Sequence, residues 1–358
     1  MRPMTRVAIA GRERRFHFEA SAGEKMLFAG LRAGIPLPYE CATGTCGSCR
    51  GRLKSGQIDA GWLQAPGRRR FKPGGGELLM CQAVAQSPCR LAVAADIRAF
   101  REDDVRPDHY RGTLTGCTAL TADVMRFEVA LPAPVRFHAG QFFVLRAPRV
   151  SGYRAYSMVS YAAPAERLEF IVKRKPDGAF SNWLFAADQN GASLDLFGPL
   201  GRATFHPDES RDLFLIAGGS GIAGLLSILE HACNSGYLHD HKAALFFGVR
   251  TWDDVFFSDR LLSMRQRGAG NLAIHIVVSE QDPARRPPAC LSGFSTAHGL
   301  VHQAALQALS ARSDGLGRGA ADTLVYVAGP QPMVDASLGA LIAGANIQPM
   351  MIRYDKFT

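Results

Sequence analysis

Four cysteines carry the clearest chemistry in this sequence of 358 residues. Three stand in the run Cys41-Ala-Thr-Gly-Thr-Cys46-Gly-Ser-Cys49, and the fourth, Cys81, follows at a distance. Thiolates with this C-x4-C-x2-C spacing and a remote partner typically hold a [2Fe–2S] cluster, because each of the two bridged irons needs two further ligands. The two glycines inside the run would let a tight loop wrap around the cluster. A zinc site and buried structural cysteines are the alternatives, although zinc usually takes paired C-x2-C clips and only one such pair is present.

Two further motifs are typical of phosphate binding. The run Leu215-Ile-Ala-Gly-Gly-Ser-Gly221 joins an apolar strand-like segment to a helix-like one, and a glycine turn in that context can cradle a dinucleotide diphosphate at a helix N-terminus. Upstream, Arg154-Ala-Tyr-Ser157 opens another strand-like run, and the turn Gly178-Ala-Phe-Ser181 precedes a helical one. Each motif is weak alone, but their succession favours a diphosphate ligand over plain turns.

Composition bounds the class of protein. With 47% apolar and 20% charged residues the chain has an ordinary globular composition, and its length favours two or three domains. The segment from Met1 to Arg6 lacks the apolar stretch of a signal peptide, and the uncharged run 213–229 is broken by glycines and too short to span a membrane. The cysteines outside the cluster motif show no clip spacing, so we expect a reducing, cytoplasmic location with free thiols at Cys89, Cys117, Cys233 and Cys290.

Positive charge is concentrated near the N-terminus. Residues 1–98 contain 16 lysines and arginines against 7 aspartates and glutamates, whereas residues 99–358 contain 25 of each kind. The densest part is Arg68-Arg-Arg-Phe-Lys72, between the cysteine run and Cys81. A basic face can simply aid solubility, but beside a redox centre it predicts a docking surface for an acidic partner. Nucleic-acid binding is a third interpretation of the basic charge, but one basic run without a binding motif gives it little support, and we expect no nucleic-acid binding.

Periodicity places these motifs in three successive units. In residues 1–98, two alternating runs that meet at Gly11 predict a hairpin, and Ser21-Ala-Gly-Glu24 predicts a capping box that opens a short helix. Residues 99–108 predict a charged linker, and residues 109–207 predict an antiparallel barrel of short strands. In residues 208–358 apolar strands alternate with helical segments, which predicts a doubly wound α/β domain with strand runs at 213–217, 243–248, 272–278 and 324–328.

These motifs, in this order, resemble the ferredoxin–NAD(P)H reductase superfamily, specifically the reductase components of multicomponent bacterial oxygenases, over essentially the whole chain. The reductases of naphthalene and carbazole dioxygenases and of soluble diiron monooxygenases share the order. The resemblance implies a β-grasp ferredoxin domain, an FAD-binding antiparallel β-barrel and an NAD(P)-binding domain. It also implies that electrons pass from NADH through FAD and the cluster to an acidic oxygenase component, or its ferredoxin, in aromatic or hydrocarbon hydroxylation. We expect a monomer whose cluster ligands are Cys41, Cys46, Cys49 and Cys81.

The resemblance also assigns site residues. Tyr156 would pack along the flavin ring, Ser157 would face its N5 atom and Phe357 would lie by the flavin, so these three are the catalytic candidates. The expected FAD contacts are Arg154, Tyr156, Ser157, Val172, Lys173, Gly178 and Ser181. The expected contacts to the nicotinamide dinucleotide are Gly218, Gly219, Ser220, Gly221, Arg250, Ser279, Gly329, Pro330 and Met333.

Three positions depart from the common family pattern. Ser220 stands where threonine is frequent, Gly224 where proline is common, and Ala328 where many relatives carry a cysteine near the nicotinamide. Several oxygenase reductases share that alanine, so it removes one candidate for hydride positioning without implying loss of function.

Coenzyme choice and acceptor depend on finer features. NADPH-selective relatives tend to carry basic residues after the Ser279 position, where this chain has Glu280. That carboxylate predicts a preference for NADH, whereas Arg285 and Arg286 nearby leave NADPH open as the less favoured coenzyme. Two alternatives of function also stay open: a reductase of the same domain order that serves another acceptor, such as a deoxysugar-pathway enzyme, and a non-catalytic electron carrier or redox sensor.

Overall fold

Three large β-sheets form the framework of the structure, a computed structural model that describes residues 3–72, 74–97, 105–310 and 322–357. The N-terminal unit consists of β1 (Met4–Ala10), β2 (Arg15–Ser21), α1 (Met26–Arg32), β3 (Arg50–Ser55), β4 (Ile58–Asp59), β5 (Glu77–Leu79), β6 (Val84–Ala85) and β7 (Cys89–Ala92). Its mixed sheet has the order β2-β1-β7-β3-β5, and β4 pairs with β6 in a separate ribbon. The small sheet with one packed helix confirms the β-grasp prediction.

The first hairpin and helix differ in how well the sequence predicted them. β1 and β2 pair as the expected hairpin, with Val7 opposite Phe18, and both side chains point into the core. The helix, however, does not begin at the predicted capping box. The Ser21 N–H does donate to the Glu24 carboxylate at 2.9 Å, but α1 starts only at Met26. Glu24 also binds Arg32 and His109, while the Ser21 hydroxyl donates to Met4 Sδ, so only one half of the capping box forms and it does not start the helix.

The second unit is an antiparallel sheet of six strands in the described residues. Its elements are β8 (Asp108–Ala119), β9 (Val124–Val135), β10 (Phe142–Arg146), β11 (Arg154–Ser157), β12 (Ala165–Lys173), α2 (Ala179–Ala186) and β13 (Ser193–Leu200). The strand order is β11-β10-β13-β8-β9-β12. Large side chains such as Phe127, Phe143 and Phe170 fill its interior without measurable exposure. This half-barrel confirms the predicted antiparallel barrel.

The third unit is a parallel sheet with helices. Its elements are β14 (Asp212–Gly218), α3 (Ile222–Asn234), β15 (Ala243–Val249), α4 (Ser258–Arg267), β16 (Leu272–Val278), β17 (Ser295–His298), α5 (Val301–Ser310), β18 (Thr323–Pro330), α6 (Gln331–Gly339) and β19 (Ile352–Phe357). The order β17-β16-β15-β14-β18-β19 places the first strand at the centre, and every pair is parallel. The four predicted strand runs are confirmed. β17 and β19 escaped prediction because both are short and polar.

The N-terminal unit packs on the half-barrel through an aromatic contact. Phe28 of α1 stacks on Phe197 of β13 with ring centroids 4.2 Å apart, and it meets Tyr153 edge-on at 5.4 Å. Beside this stack His109 Nε2 lies 2.9 Å from the Glu24 carboxylate. Burial alone would raise the pKa of Glu24, but the hydrogen bonds from His109 and Arg32 outweigh it and lower the pKa to about 2. The core of the N-terminal unit therefore continues into the half-barrel.

The half-barrel and the parallel-sheet unit are joined by buried and partly buried polar contacts. Arg260 of α4 donates to Glu169 of β12 at 2.9 Å and to Glu230 of α3 at 2.8 Å. The Ser227 hydroxyl, fully buried in α3, accepts the Gly140 N–H at 2.8 Å. The predicted linker 99–108 lies largely outside the described residues. Within the described residues, none of the helices combines the length and the apolar character needed to cross a membrane.

Candidate functional site

The four motif cysteines lie in two thiol pairs. Cys41 pairs with Cys46, both half-buried, and Cys49 pairs with Cys81, both nearly inaccessible. The Cys41 sulfur accepts the backbone N–H groups of Thr43 and Cys46, each at 3.4 Å. The Cys46 thiol and these neighbouring donors lower the pKa of Cys41 to about 4, so the loop favours a thiolate there.

Glycines shape the loop that carries these thiols. Gly44 and Gly47 have φ angles of +98° and +81°, a region that side chains rarely adopt. The Gly67 N–H donates to the Gly44 carbonyl at 3.0 Å, and a Cβ on Gly67 would lie only 2.7 Å from the Gly47 nitrogen. The 3₁₀ turn Pro66–Arg70 thus presses directly on the cysteine loop, and this brings the basic run next to it.

The donor set fits a two-iron cluster better than a single ion. Among the described residues, no three His, Cys, Asp or Glu side chains converge so as to hold one metal ion, whereas two thiol pairs match two irons with two thiolates each. The Thr45 hydroxyl is buried close enough to the Cys41 sulfur to lower the pKa of that thiol, yet it forms no well-shaped hydrogen bond within the described chain. A cluster held by the four thiols would place an acceptor beside it. The zinc alternative is therefore disfavoured.

One cavity of about 580 Å³ lies where the three units meet. The N-terminal unit contributes Tyr39, Glu40, Cys41 and Trp62 to its wall, so one of the predicted cluster ligands faces the cavity. Six cations line it against two carboxylates, Glu40 and Asp355; the cations are Arg154, Lys173, Lys175, Arg202, Arg353 and Lys356. This positive, partly aromatic lining suits a ligand with a diphosphate and a flat ring.

The predicted Arg-x-Tyr-Ser motif forms β11 along one side of this cavity. Arg154, Tyr156 and Ser157 all line the wall, and Ser157 is only 4% exposed. The Tyr156 ring leans on Phe180 with centroids 5.1 Å apart, and burial raises the pKa of its hydroxyl. A Cβ on Gly224 would lie 3.4 Å from the Ser157 Cβ, so this glycine, where relatives commonly have proline, packs directly behind the serine.

The other expected FAD contacts follow β12 and the turn after it. Lys173, Gly178 and Ser181 line the cavity. The Ser181 hydroxyl accepts the Lys175 N–H and donates to the Gly178 carbonyl, both at 3.1 Å, which fixes the turn before α2. Val172 does not line the wall, because its side chain packs in the half-barrel interior; in the alternating strand its neighbour Ile171 takes that place.

The glycine turn after β14 packs against the turn after β18. A Cβ on Gly221 would lie 2.3 Å from the Ala328 carbonyl oxygen, and one on Gly218 would lie 2.7 Å from the Met333 Cε. Gly329 is equally close to Met333, and its φ of +152° suits glycine. Ser220 lines the cavity at the start of α3. The two predicted motifs therefore form one surface at the start of α3, and a helix N-terminus favours an anion such as a diphosphate.

Arg250 and Ser279 lie together at the carboxyl ends of β15 and β16 but outside the cavity wall. The Ser279 N–H donates to the Val249 carbonyl at 3.1 Å. Arg250 is 3.9 Å from Asp123, which also pairs with Lys173 at 2.9 Å. This edge of the sheet is where ligands bind in folds of this kind.

The C-terminal strand contributes residues that sequence analysis mostly missed. Phe357 lines the cavity as expected, and Pro330 pairs with it across β18 and β19. Asp355 also lines the cavity, and burial, together with the charge of Glu40, raises its pKa to about 7. Neither Asp355 nor the wall residues Tyr39, Glu40 and Trp62 belong to a recognisable motif, so only the folded contact between units identifies them.

Comparison with known families covers all three units. Family models match the 2Fe-2S iron-sulfur cluster binding domain over residues 9–86, the oxidoreductase FAD-binding domain over 111–205 and the oxidoreductase NAD-binding domain over 215–338. The order and the matched ranges agree with the cysteine loop, the half-barrel and the parallel sheet.

Whole-length relatives have the same organisation. The chain is 34% identical to the ferredoxin–NAD(+) reductase component of an alkene monooxygenase system of Xanthobacter autotrophicus, covering 95% of this chain and 97% of the relative. It is 31% identical to the ferredoxin–NAD(P)(+) reductase CarAd of Metapseudomonas resinovorans, covering 94% and 95%. Among solved structures, the ferredoxin reductase in carbazole 1,9a-dioxygenase superposes with a TM-score of 0.81 at 29% identity, with each chain fully covered. The chain therefore belongs to the ferredoxin–NAD(P)+ reductase components of bacterial multicomponent oxygenase systems, iron–sulfur flavoproteins that carry electrons from NAD(P)H through FAD and a [2Fe–2S] cluster.

Proposed function

We propose that this chain takes electrons from NADH and delivers them to an oxygenase component, or to its intermediary ferredoxin, that hydroxylates an aromatic or other hydrocarbon substrate. One observation carries the proposal: the cluster ligand Cys41 and the flavin-contact candidates Tyr156 and Ser157 line the same cavity. Bound FAD supplies two-electron chemistry with the nicotinamide and one-electron chemistry with the cluster. Because all three units enclose the cavity within one chain, the proposal needs no second copy and fits a cytoplasmic monomer.

The residues around the cavity would orient the bound groups and exclude water. Arg154 and Lys175 would hold the diphosphate, because both are cations on the cavity wall, Arg154 on β11 and Lys175 in the turn before α2. Ser157 lines the cavity and is nearly inaccessible, and the absence of a Cβ at Gly224 leaves room beside its hydroxyl, which would face the flavin ring. Phe357 would cover the ring until a nicotinamide replaces it. These roles are positional, and no acid–base pair is required of the protein.

The preference for NADH is supported by charge at the far edge of the parallel sheet. Glu280 follows β16 and is exposed, so its carboxylate would repel a 2′-phosphate. Arg285, one of the two nearby cations that could favour NADPH, is already paired with Asp253 at 2.7 Å.

The partner is proposed to be acidic and to dock beside the cysteine loop. Arg69 and Arg70 are exposed there, and Trp62 and Leu63 expose 43% and 60% of their surface in the same segment. An exposed apolar centre with a basic rim has the composition of a protein interface. Transfer to the partner should therefore slow with rising salt, whereas NADH-to-dye turnover should not. Charge reversal at Arg68–Arg70 that leaves partner reduction unchanged would remove this run from the interface.

The test of the whole path is an anaerobic titration of the purified protein with NADH and then NADPH, followed by visible absorption. We expect flavin and cluster bands to bleach together, with NADH far more effective. The matched variants are C46S, which removes a proposed cluster ligand, and C117S, which removes a thiol of the half-barrel. C46S should bleach only in the flavin band and C117S in both. Bleaching of neither band by either nucleotide in the unaltered protein would refute the proposal.

A further inference from the structure

Two loops at the carboxyl edge of the parallel sheet are fastened to each other by backbone and side-chain bonds. The Glu280 N–H donates to the Arg250 carbonyl at 2.9 Å, which joins the ends of β16 and β15. Trp252 then bridges outward twice: its N–H donates to Gln281 Oε1 at 3.0 Å, and its indole Nε1 donates to the Arg285 carbonyl at 3.1 Å. The loop after β16 is thus held in register with the loop after β15.

An ion pair closes the outer end of this double loop. Arg285 Nη1 and Nη2 donate to the two Asp253 oxygens at 2.8 and 2.7 Å, a bidentate geometry. Asp253 lies within a short turn that is itself fixed, because Thr251 and Asp254 cap each other at both ends of it. Surface ion pairs usually contribute little stability, since they are solvated and mobile. Here the backbones of both loops are held by hydrogen bonds. The ion pair therefore fixes the orientation of the Arg285 guanidinium more than it adds to the stability of the fold.

The position of the pair gives it a consequence for coenzyme choice. Ligands of such sheets bind outside the carboxyl ends of the strands, and β15 and β16 supply the end away from the nicotinamide turn. NADP differs from NAD only by a phosphate at the adenosine ribose, and a guanidinium is the group that best receives a phosphate. Arg285 is such a cation in the loop after β16, and both of its terminal nitrogens are engaged by Asp253.

We propose that Asp253 is a specificity-determining residue, which excludes the 2′-phosphate of NADPH by occupying the guanidinium of Arg285. The inference rests on the proposed use of NADH and adds a second device to the repulsion by Glu280. Asp253 lies four residues after the end of β15, and its pairing with Arg285 joins the loop after β15 to the loop after β16. Freed from Asp253, Arg285 would offer two donors and a positive charge to the phosphate, and NADPH discrimination would weaken.

The experiment measures binding rather than turnover. The probes are ADP-ribose and 2′-phospho-ADP-ribose, which lack the nicotinamide, and the readout is the dissociation constant from isothermal titration calorimetry on the holoprotein. The test variant is Asp253→Asn. The matched control is Asp282→Asn, which removes the same charge from the same double loop; Asp282 accepts the Ala284 N–H at 2.9 Å, a bond that asparagine can keep. A third protein combines Asp253→Asn with Arg285→Ala.

We expect D253N to tighten binding of 2′-phospho-ADP-ribose about five- to tenfold, the size of one charge-assisted contact at an exposed site, with ADP-ribose changed less than twofold. D282N should increase the affinity for 2′-phospho-ADP-ribose by less than half as much, and adding R285A to D253N should abolish the increase. Equal gains in D253N and D282N would overturn the inference, as would a gain that survives the loss of Arg285, which would assign the phosphate to another cation. Failure of ADP-ribose to bind any of the proteins would instead count against the proposed dinucleotide site itself.

Discussion

Replacing Phe28 by alanine separates the two halves of the proposed electron path. Phe28 is 1% exposed and touches the half-barrel through Phe197, Tyr153 and His109, so the substitution removes the centre of the contact between units. Phe→Ala at a buried site costs about 3–5 kcal/mol, of which an aromatic stack contributes roughly 0.5–1.5 kcal/mol. A loss of about 3 kcal/mol from docking alone would shift the docked-to-undocked ratio roughly a hundredfold.

The control for Phe28 is Phe18→Ala. Phe18 lies on β2 in the same unit, is 4% exposed and packs toward Gly30, without a ring contact to the half-barrel. It should lower the thermal stability of the N-terminal unit about as much, while leaving the contact between units intact. The assay is anaerobic stopped-flow mixing with NADH, in which the flavin and cluster bands are followed separately.

In F28A, flavin bleaching should slow much less than cluster bleaching, because most of the cavity wall comes from β11, β12 and β19, although Tyr153, which Phe28 contacts, also lines the cavity. Cluster bleaching should slow by the factor by which the docked fraction falls, which reaches about a hundredfold only if the docked and undocked forms are about equally populated in the unaltered protein. F18A should show normal rates for both bands at a temperature where it is folded. Equal slowing in the two variants, or no slowing in F28A, would refute the view that the Phe28 stack holds the cluster by the cavity.

Three further predictions concern single side chains. Gly47→Ala should lower the iron content per chain by more than half, because its Cβ would lie 3.0 Å from the Gly67 carbonyl oxygen. The control Gly74→Ala, with a similar φ of +69° and open space around it, should keep the iron. Equal losses of iron would show that backbone strain alone, about 1–2 kcal/mol, is the cause. Thr45→Val should lower the midpoint potential of the cluster in a dye-mediated redox titration, since a hydroxyl donor stabilises the more negative reduced form, while Thr115→Val removes a similarly buried, unbonded hydroxyl of the half-barrel and should leave the potential unchanged. Burial, with nearby histidines, lowers the pKa of His231 to about 4, so protonating this side chain lowers the free energy of unfolding as pH falls from about 6.5 to 4. His231→Phe should reduce this loss of stability by about 1–2 kcal/mol, measured by urea unfolding at several pH values. Parallel curves of stability against pH for the variant and the unaltered protein would contradict this.

The sequence was most informative where chemistry demands a fixed spacing. Cys41, Cys46 and Cys49 could be predicted as ligands because three thiolates in one loop have few other uses. The glycine turn at Gly218–Gly221 was recognisable because a strand, a turn and a helix follow each other there. Both signals are local, and local signals survive in a sequence without any knowledge of the fold.

What escaped prediction depends on contacts between units. Trp62 has the exposure and neighbours of a surface residue, yet the packing of the N-terminal unit on the half-barrel makes it part of the cavity wall. Val172 was expected to contact FAD, but strand alternation turns its side chain inward and presents Ile171 instead. The capping box at Ser21 forms only in part, because the Ser21 hydroxyl donates to Met4 Sδ, while Glu24 is also recruited by His109 from another unit. A pattern within one segment carries no information on such recruitment.

The charge of the cavity shows how these distant contributions combine. Its wall carries six cations and only two carboxylates, and one of those, Asp355, has a pKa raised to about 7 by burial and by Glu40. Because that value lies above the 3.8 of a free aspartate, ionising Asp355 costs stability as pH rises from about 4 to about 7, and the group is only half ionised at neutral pH. The cavity therefore keeps its positive excess where a flavin diphosphate would need it. Burial is the larger cause of the raised pKa of Asp355, and the charge of Glu40 adds to it. Because Glu40 comes from the N-terminal unit and Asp355 from the last strand, this part of the cavity's electrostatics depends on the contact between the two units.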